Sequence, residues 1–340
     1  MANRDLPTAS LVESEDGPPA AFVIPFYGDQ EFSVRYLAEA IEGFDNQTDP
    51  NWRAIIVDDA TPRDDARKYL SKIENERPEQ LHVIRLPKNM GHGHARNVAV
   101  QCAADNGYPF IMYNDADDIS HPRRVEVVRA AFSANPLVDL VYSTFTAIDE
   151  NRREIPDNKM VATNQALLAL QRSRPIIGQD AWIRMGLEAT ASLPSSTALR
   201  TAAARACPSP LQTPSEGFYQ WMHVSAAGGS FLFTPEIPSL YRVTTSPSGL
   251  SHHRQRIGVE QFYKNLVSVR TAGFVNALRV ASNRGHWCSN HADMMMTLFY
   301  LRLAENLAEV GQTVTAEDIF KKHLTTSYPA LSTHLTDMVA

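Results

Sequence analysis

The densest group of reactive side chains is Asp115-Ala116-Asp117-Asp118, which follows the apolar run Phe110-Ile111-Met112-Tyr113 and precedes Ile119-Ser120-His121-Pro122. Carboxylates this close repel one another in a drying cleft unless a cation or hydrogen-bond donors hold them. Hard oxygen ligands of this kind suit Mg²⁺ or Mn²⁺, and Mg²⁺ usually takes one or two carboxylates while substrate phosphates fill other positions. The competing reading is a helix start, with Asp118 or Ser120 as cap and the other acids solvated. A second pair, Asp58-Asp59, also closes an apolar run. It can accept hydrogen bonds from a nucleobase imide or a ribose, or serve only the turn into Thr61-Pro62.

Between these acids in sequence lies Lys88-Asn89-Met90-Gly91-His92-Gly93-His94-Ala95-Arg96-Asn97. Its glycines permit close backbone approach, a helix beginning here would favour an anion, and Arg96 can fork onto phosphate oxygens. His92 and His94 could form a metal pair, but histidines on loops are more often surface or hydrogen-bonding groups.

The elements that must carry these residues are legible from periodicity. Residues 21–25, 53–57, 81–85, 110–113 and 139–142 are short, β-branched or aromatic runs bounded by polar breakers, as buried parallel strands are. Residues 32–44 and 123–132 space their apolar positions helically. The alternation predicts an α/β fold with a mainly parallel sheet, whose ligands sit beyond the carboxyl ends of the strands. Residues 145–215 read as loops and short helices, 216–227 as a helix and 230–234 as a strand. From Val259 onward the pattern is helical, with Leu298, Leu301, Leu303 and Leu307 as core positions.

Composition narrows the function. With 44% hydrophobic and 21% charged residues, the 340-residue chain can bury a sizeable core and is not a disordered polymer. A net charge of -6 without clustered Lys and Arg argues against nucleic-acid partners. Three cysteines without CxxC spacing suggest neither a disulfide framework nor a cysteine zinc site. Residues 1–19 are polar and acidic, lack a signal-peptide pattern and predict a flexible leader. The apolar stretch 294–301 is too short to span a bilayer. A cytoplasmic, reducing location is expected.

The motifs in their order, Pro25-Phe26-Tyr27, then Val57-Asp58-Asp59-Ala60-Thr61, Asn89-x-Gly91 through Ala95-Arg96-Asn97, Asn114-Asp115-Ala116-Asp117-Asp118 and Val141-Tyr142-Ser143, resemble the family 2 glycosyltransferases of the GT-A fold. The resemblance is specific over about residues 20–155 and weaker from there to Arg242. It implies a GT-A domain over residues 20–250, with a donor half at 20–145, an acceptor half at 146–250, and a helical region at 251–340. It further implies that Pro25, Tyr27 and Asp58 line the base and ribose pocket. Arg96 would face the nucleotide with Asn89 supporting its loop, Asn114 would lie on the nucleotide side, Asp115 would lie near the ribose, and Asp117 would bind Mn²⁺ or Mg²⁺ at the diphosphate. The implied reaction is inverting transfer from a nucleoside-diphosphate sugar, UDP first, to a hydroxyl or amine of a glycan or small molecule. Peripheral membrane association is compatible with this reading.

Ser215-Glu216-Gly217-Phe218-Tyr219-Gln220-Trp221 resembles the family's Glu-Asp-x-x-x-Trp stretch, and Pro194 to Arg200 resembles the segment preceding the acceptor loop. Gly217 stands where the family usually places its general base. An inverting transfer needs a group within hydrogen-bond reach of the acceptor hydroxyl, so Glu216 becomes the candidate, with Asp180 and Glu188 as others. The competing reading for Glu216 is a first-turn carboxylate on free helix amides. Tyr241-Arg242 resembles the end of the catalytic domain. The Ser246–Arg254 loop, with His252 and His253, reads as a lid over the diphosphate or as a linker. Two rival functions remain open: a sugar-nucleotide-binding protein that no longer transfers, and a nucleotidyltransferase, whose usual glycine-rich basic signature near the first strand is lacking.

Overall fold

The computed structural model describes residues 17–211, 214–243, 257–286 and 289–324. The 1–16 part of the expected leader and the lid or linker loop, with His252 and His253, lie outside them.

In chain order the elements are β1 (Ala20–Phe26), α1 (Ser33–Asp45), β2 (Trp52–Asp58), α2 (Asp64–Glu76), β3 (Leu81–Arg85), α3 (His92–Asp105), β4 (Phe110–Tyr113), α4 (Arg124–Ala134), β5 (Val138–Tyr142) and β6 (Phe145–Ile148). There follow α5 (Ala162–Ser173), α6 (Ala181–Leu187), β7 (Thr197–Arg200), α7 (Thr201–Ala206), α8 (Glu216–Ala226), β8 (Ser230–Phe233) and β9 (Ser239–Arg242). Helices α9 (Val259–Asn283), α10 (Ser289–Glu309) and α11 (Thr313–His323) complete the described chain.

Seven strands form one sheet in the order β3-β2-β1-β4-β7-β5-β8. Strands β1 to β4 pair in parallel, as do β5 and β8, while β7 runs antiparallel between β4 and β5. The order reverses at β1 and β4, and such a switch point opens a crevice at the carboxyl ends of the strands. Phe26 is in register with Asp58, and Val23 with Tyr113, so the polar segments that follow these strands come out together.

Alternation along the strands builds a core on each face of the sheet. Phe22, Ile24, Ala54 and Ile56 pack toward α1, α2 and α4, with Phe22 stacked on Phe44 at 4.1 Å. Ala21, Val23, Ile55 and Val57 face the other way and join a core that runs through α3, α6 and α8 into α9 and α10. The C-terminal helices therefore share the core of the sheet. Phe274 of α9 stacks on Phe299 of α10 at 4.5 Å and lies 5.8 Å from Trp182 of α6.

Two expectations are corrected. The 145–215 segment is more ordered than periodicity indicated, and it contributes β7 to the middle of the main sheet. In α10, Leu303 and Leu307 are buried, but Leu298 is 38% exposed and Leu301 half-buried, because Met295, Phe299 and Ala304 hold the inward face.

Candidate functional site

The acidic turn after β4 is held from inside. Asn114 is fully buried; its amide donates to the carbonyls of Asp115 and Asp118, at 2.8 and 3.0 Å, and its Oδ1 accepts from the Ser120 hydroxyl. Its side chain is thus spent on shaping the turn that carries Asp115 and Asp117. From the other side, β9 bridges Ile119 through Leu240, and the Arg242 backbone N–H donates to Asp118 Oδ1 at 2.8 Å. The fully buried Arg242 guanidinium donates to the Asp117 carbonyl at 2.8 Å and to the Asp149 carbonyl, pairs with Glu39, and lies 4.3 Å over the Tyr36 ring. Asp118 is therefore structural, and burial among neighbouring carboxylates pushes its carboxyl well up. Asp117 is pushed up to about 6 by burial and by the charge of Asp115.

Arg96 of α3 answers that negative charge. Its Nη2 donates to Asp115 Oδ1 at 2.6 Å, and the side chain is 5% exposed. The buried Nε has no hydrogen-bond partner, which leaves an unmet cationic donor beside the acids. Burial lowers the guanidinium's proton affinity, but Asp115 and Glu216 outweigh it and hold it raised.

Asp58 Oδ1 accepts the Thr61 N–H at 2.8 Å, the turn chemistry weighed above. Asp59 accepts the Met90 and Gly91 N–H groups at 2.6 and 2.8 Å, so one carboxylate suspends the loop that leads into α3. Asn89 is exposed, and its Oδ1 accepts the Gly91 N–H at 3.2 Å. Pro25 is half-buried and Tyr27 is 41% exposed at the end of β1, available to stack on a ring.

Helix α3 is clamped to the segment before α8. A Cβ on Gly93 would lie 2.1 Å from the Pro210 carbonyl oxygen, so only glycine permits this approach. Asn97 exchanges two hydrogen bonds with the Ser209 backbone, at 2.9 and 2.8 Å. Gln220 ties the Ser209 hydroxyl, the Cys207 carbonyl and the Tyr113 hydroxyl together. The clamp brings His92 Nε2 into hydrogen bonding with Glu216 Oε1. Burial pushes the Glu216 carboxyl up, but the bond and charge of His92, the charge of Arg96 and its own backbone N–H together hold it below the usual glutamate range.

Asp115, Asp117, Arg96 and Glu216 are therefore electrostatic neighbours across α3. Asp180 instead accepts from the Trp182 indole, and Glu188 is paired with Arg184 and Arg174. No cluster of three or more His, Cys, Asp and Glu residues arranged for a metal occurs among the described residues, and His92 is engaged with Glu216. The pairing of His92 with Glu216, the loop-holding role of Asp59 and the scaffold role of Arg242 escape a reading of motifs. A signal for the first was present: His92 and Arg96, four residues apart at a helix start, share one face.

The family model for glycosyl transferase family 2 matches residues 21–189, the segment from β1 through α6. Through this segment the chain belongs to glycosyl transferase family 2. An uncharacterized glycosyltransferase of Methanocaldococcus jannaschii is 33% identical over 141 residues, covering 42% of this chain and 46% of that protein. The chain spans less than half the length of the curated relatives it matches. Among solved structures, S. aureus TarS residues 1–349 in complex with UDP is similar, with a TM-score of 0.54, 15% identity and coverage of 89% of this chain and 91% of that one. The mannosyltransferase PcManGT of Pyrobaculum calidifontis, in complex with GDP-Man and Mn²⁺, has a TM-score of 0.52 and 14% identity, covering 94% and 79%. At these identities the likeness shows the fold, and this family 2 domain has the GT-A architecture, extended by helices.

Proposed function

We propose that the protein is an inverting glycosyltransferase that moves a sugar from a nucleoside-diphosphate donor, UDP first, to a hydroxyl or amine acceptor. The observation that carries this reading is the convergence, at the carboxyl ends of β1, β2 and β4, of an acid turn, a buried arginine with an unmet donor, and a glutamate on the far side of α3. Residues 20–145 form the donor half and 146–250 the acceptor half, and the helices beyond 251 brace both. Pro25, Tyr27 and Asp58 border the base and ribose with Asp115 near the ribose, Asn89 shapes the loop beside them, and Arg96 faces the nucleotide. UDP as the nucleotide is supported by the TarS complex and the motif series.

The acid turn fits a divalent cation. Burial, with the charge of Asp115 beside it, pushes the Asp117 carboxyl up to about 6, and oxygen donors of this kind suit Mg²⁺ or Mn²⁺. Asp117 would hold the ion, which when bound offsets the negative charge that develops on the departing diphosphate. Arg96 adds a fixed positive charge on the same side. Glu216, ionised at neutral pH, takes the proton of the acceptor as the new glycosidic bond forms.

Two substitutions test the assignment in the full chain. Glu216→Gln lowers turnover by roughly 10²–10⁴-fold with UDP affinity unchanged. Asp117→Asn lowers Mn²⁺-dependent UDP affinity while the circular dichroism spectrum and melting temperature stay those of the wild type. Transfer at the wild-type rate by Glu216→Gln places the base elsewhere, and unchanged affinity in Asp117→Asn removes that ligand role. A protein that binds nucleotide and turns over no donor is a sugar-nucleotide-binding protein instead, the reading that Gly217 favours.

A further inference from the structure

Helix α3 starts at His92 and presents Arg96 one turn later, so these two side chains meet two separate acids. Arg96 takes Asp115, on the nucleotide side, and His92 takes Glu216, on the acceptor side, 124 residues away in sequence. Both members of the second pair are largely shielded, with side chains 17% and 14% exposed. The histidine cannot drift. Its neighbour Gly93 is pressed against the Pro210 carbonyl, and Asn97 is bonded both ways to the Ser209 backbone. Among the described residues, His92 is the one side chain hydrogen-bonded to the Glu216 carboxylate.

On α8 itself no second acid is present. Gly217 follows Glu216, and a Cβ there would sit 3.1 Å from the Trp221 indole nitrogen, so the first turn is packed down on that ring. A lone glutamate has freely rotating bonds to order before it can accept a proton in one direction, and a fixed partner removes that cost.

We propose that His92 is the positioning residue of the transfer: its Nε2–H holds Glu216 Oε1, leaving Oε2 for the acceptor, and the pair takes over the task of the acid absent at position 217. This rests on the reading of Glu216 as the base. In the step itself, the acceptor oxygen bonds to the anomeric carbon as the bond from that carbon to the diphosphate oxygen breaks. The electron pair leaves with the nucleoside diphosphate, and the acceptor proton passes to Glu216 Oε2.

The charged groups facing Glu216 are His92 and Arg96 from α3, with Asp115 behind Arg96; from α9, Arg270 lies over the neighbouring Phe218 ring at 5.0 Å. Loss of His92 removes a group that keeps the carboxylate ionised, so the acidic limb of the rate profile moves to higher pH.

The test compares the wild type with His92→Ala and His92→Gln in the full chain, by nucleoside diphosphate release into water from UDP-glucose, UDP-N-acetylglucosamine and GDP-mannose, with Mn²⁺. UDP binding by calorimetry runs in parallel. His92→Ala is expected to lower kcat by roughly 10–100-fold, with KM and UDP affinity unchanged and the acidic limb displaced upward. His92→Gln, which keeps an N–H donor, is expected to recover much of the rate. A wild-type kcat and pH profile in His92→Ala overturns the proposal, as does a loss of rate matched by an equal loss of UDP affinity, which marks a scaffold role. If the wild type binds UDP but releases none from any donor, Glu216 as base falls and the dyad with it. If it binds no nucleotide, the transferase reading itself fails.

Discussion

Arg242 is the residue on which the acidic turn hangs, since its buried guanidinium reaches the Asp117 and Asp149 carbonyls and Glu39 while its backbone N–H holds Asp118. Removing one partner from such a network leaves buried charge uncompensated, which costs about 3–5 kcal/mol. Arg242→Met is therefore expected to lower the urea midpoint by that much stability and to weaken metal-dependent UDP binding. A wild-type midpoint would show that the turn stands without it. Gly217→Asp tests the opposite position, where the family's acid is missing. The added Cβ presses on Trp221 at 3.1 Å, so this variant is expected to lose about 1–3 kcal/mol and to gain no turnover over the wild type. The acids and Arg96 were legible in the sequence because each stands at the end of an apolar run or at a helix start, and Glu216 through the resemblance of its stretch to the family's Glu-Asp-x-x-x-Trp. What each one touches was not, since Glu216 meets His92 across 124 residues and Asp118 meets Arg242 across an equal span. Nor was the task of the Asn114 side chain, which is fully buried and holds the Asp115 and Asp118 carbonyls as part of the turn's frame.

At the scale of elements, the start of α3 is where the two halves of the site meet. Its position depends on Gly93, because a methyl group there would meet the Pro210 carbonyl at 2.1 Å. Gly93→Ala is expected to displace the loop before α8, cost about 1–3 kcal/mol, and reduce kcat through His92 more than it reduces nucleotide affinity. Thermal unfolding and donor turnover measured together check this. The parallel strands and the helices between them were readable from periodicity because each buries a continuous apolar run. Strand β7 was not. It is four residues long, Thr-Ala-Leu-Arg, and it owes its place to antiparallel pairing with β4 and β5, which no local pattern encodes.

For the whole molecule, the helices after the sheet are not an appendage. The core on one face passes from β1 and β2 through α6 and α8 into α9 and α10, and Phe274 is its hinge, fully buried between Trp182 and Phe299 above Gly186. Phe274→Ala is expected to cost about 3–5 kcal/mol and to lower the stability of sheet and helices together, seen as one transition by tryptophan fluorescence and circular dichroism. Two separated transitions would mean that the helices unfold independently. No helix among the described residues is long and apolar enough to cross a membrane. A helical extension was legible in the sequence, but its inward face was only half read, because Leu298 lies on the far side of the helix from the buried Leu303 and Leu307.

The central claim is that the crevice at the carboxyl ends of β1, β2 and β4 holds a nucleoside diphosphate with a divalent cation. The most direct measurement is calorimetric titration of the full chain with UDP, GDP and dTDP, each with and without Mn²⁺. The account predicts that UDP binds, and that binding strengthens with Mn²⁺ in the wild type but not in Asp117→Asn. Absence of binding by all three nucleotides, with the protein folded, would contradict it and return the acidic turn to a purely structural role.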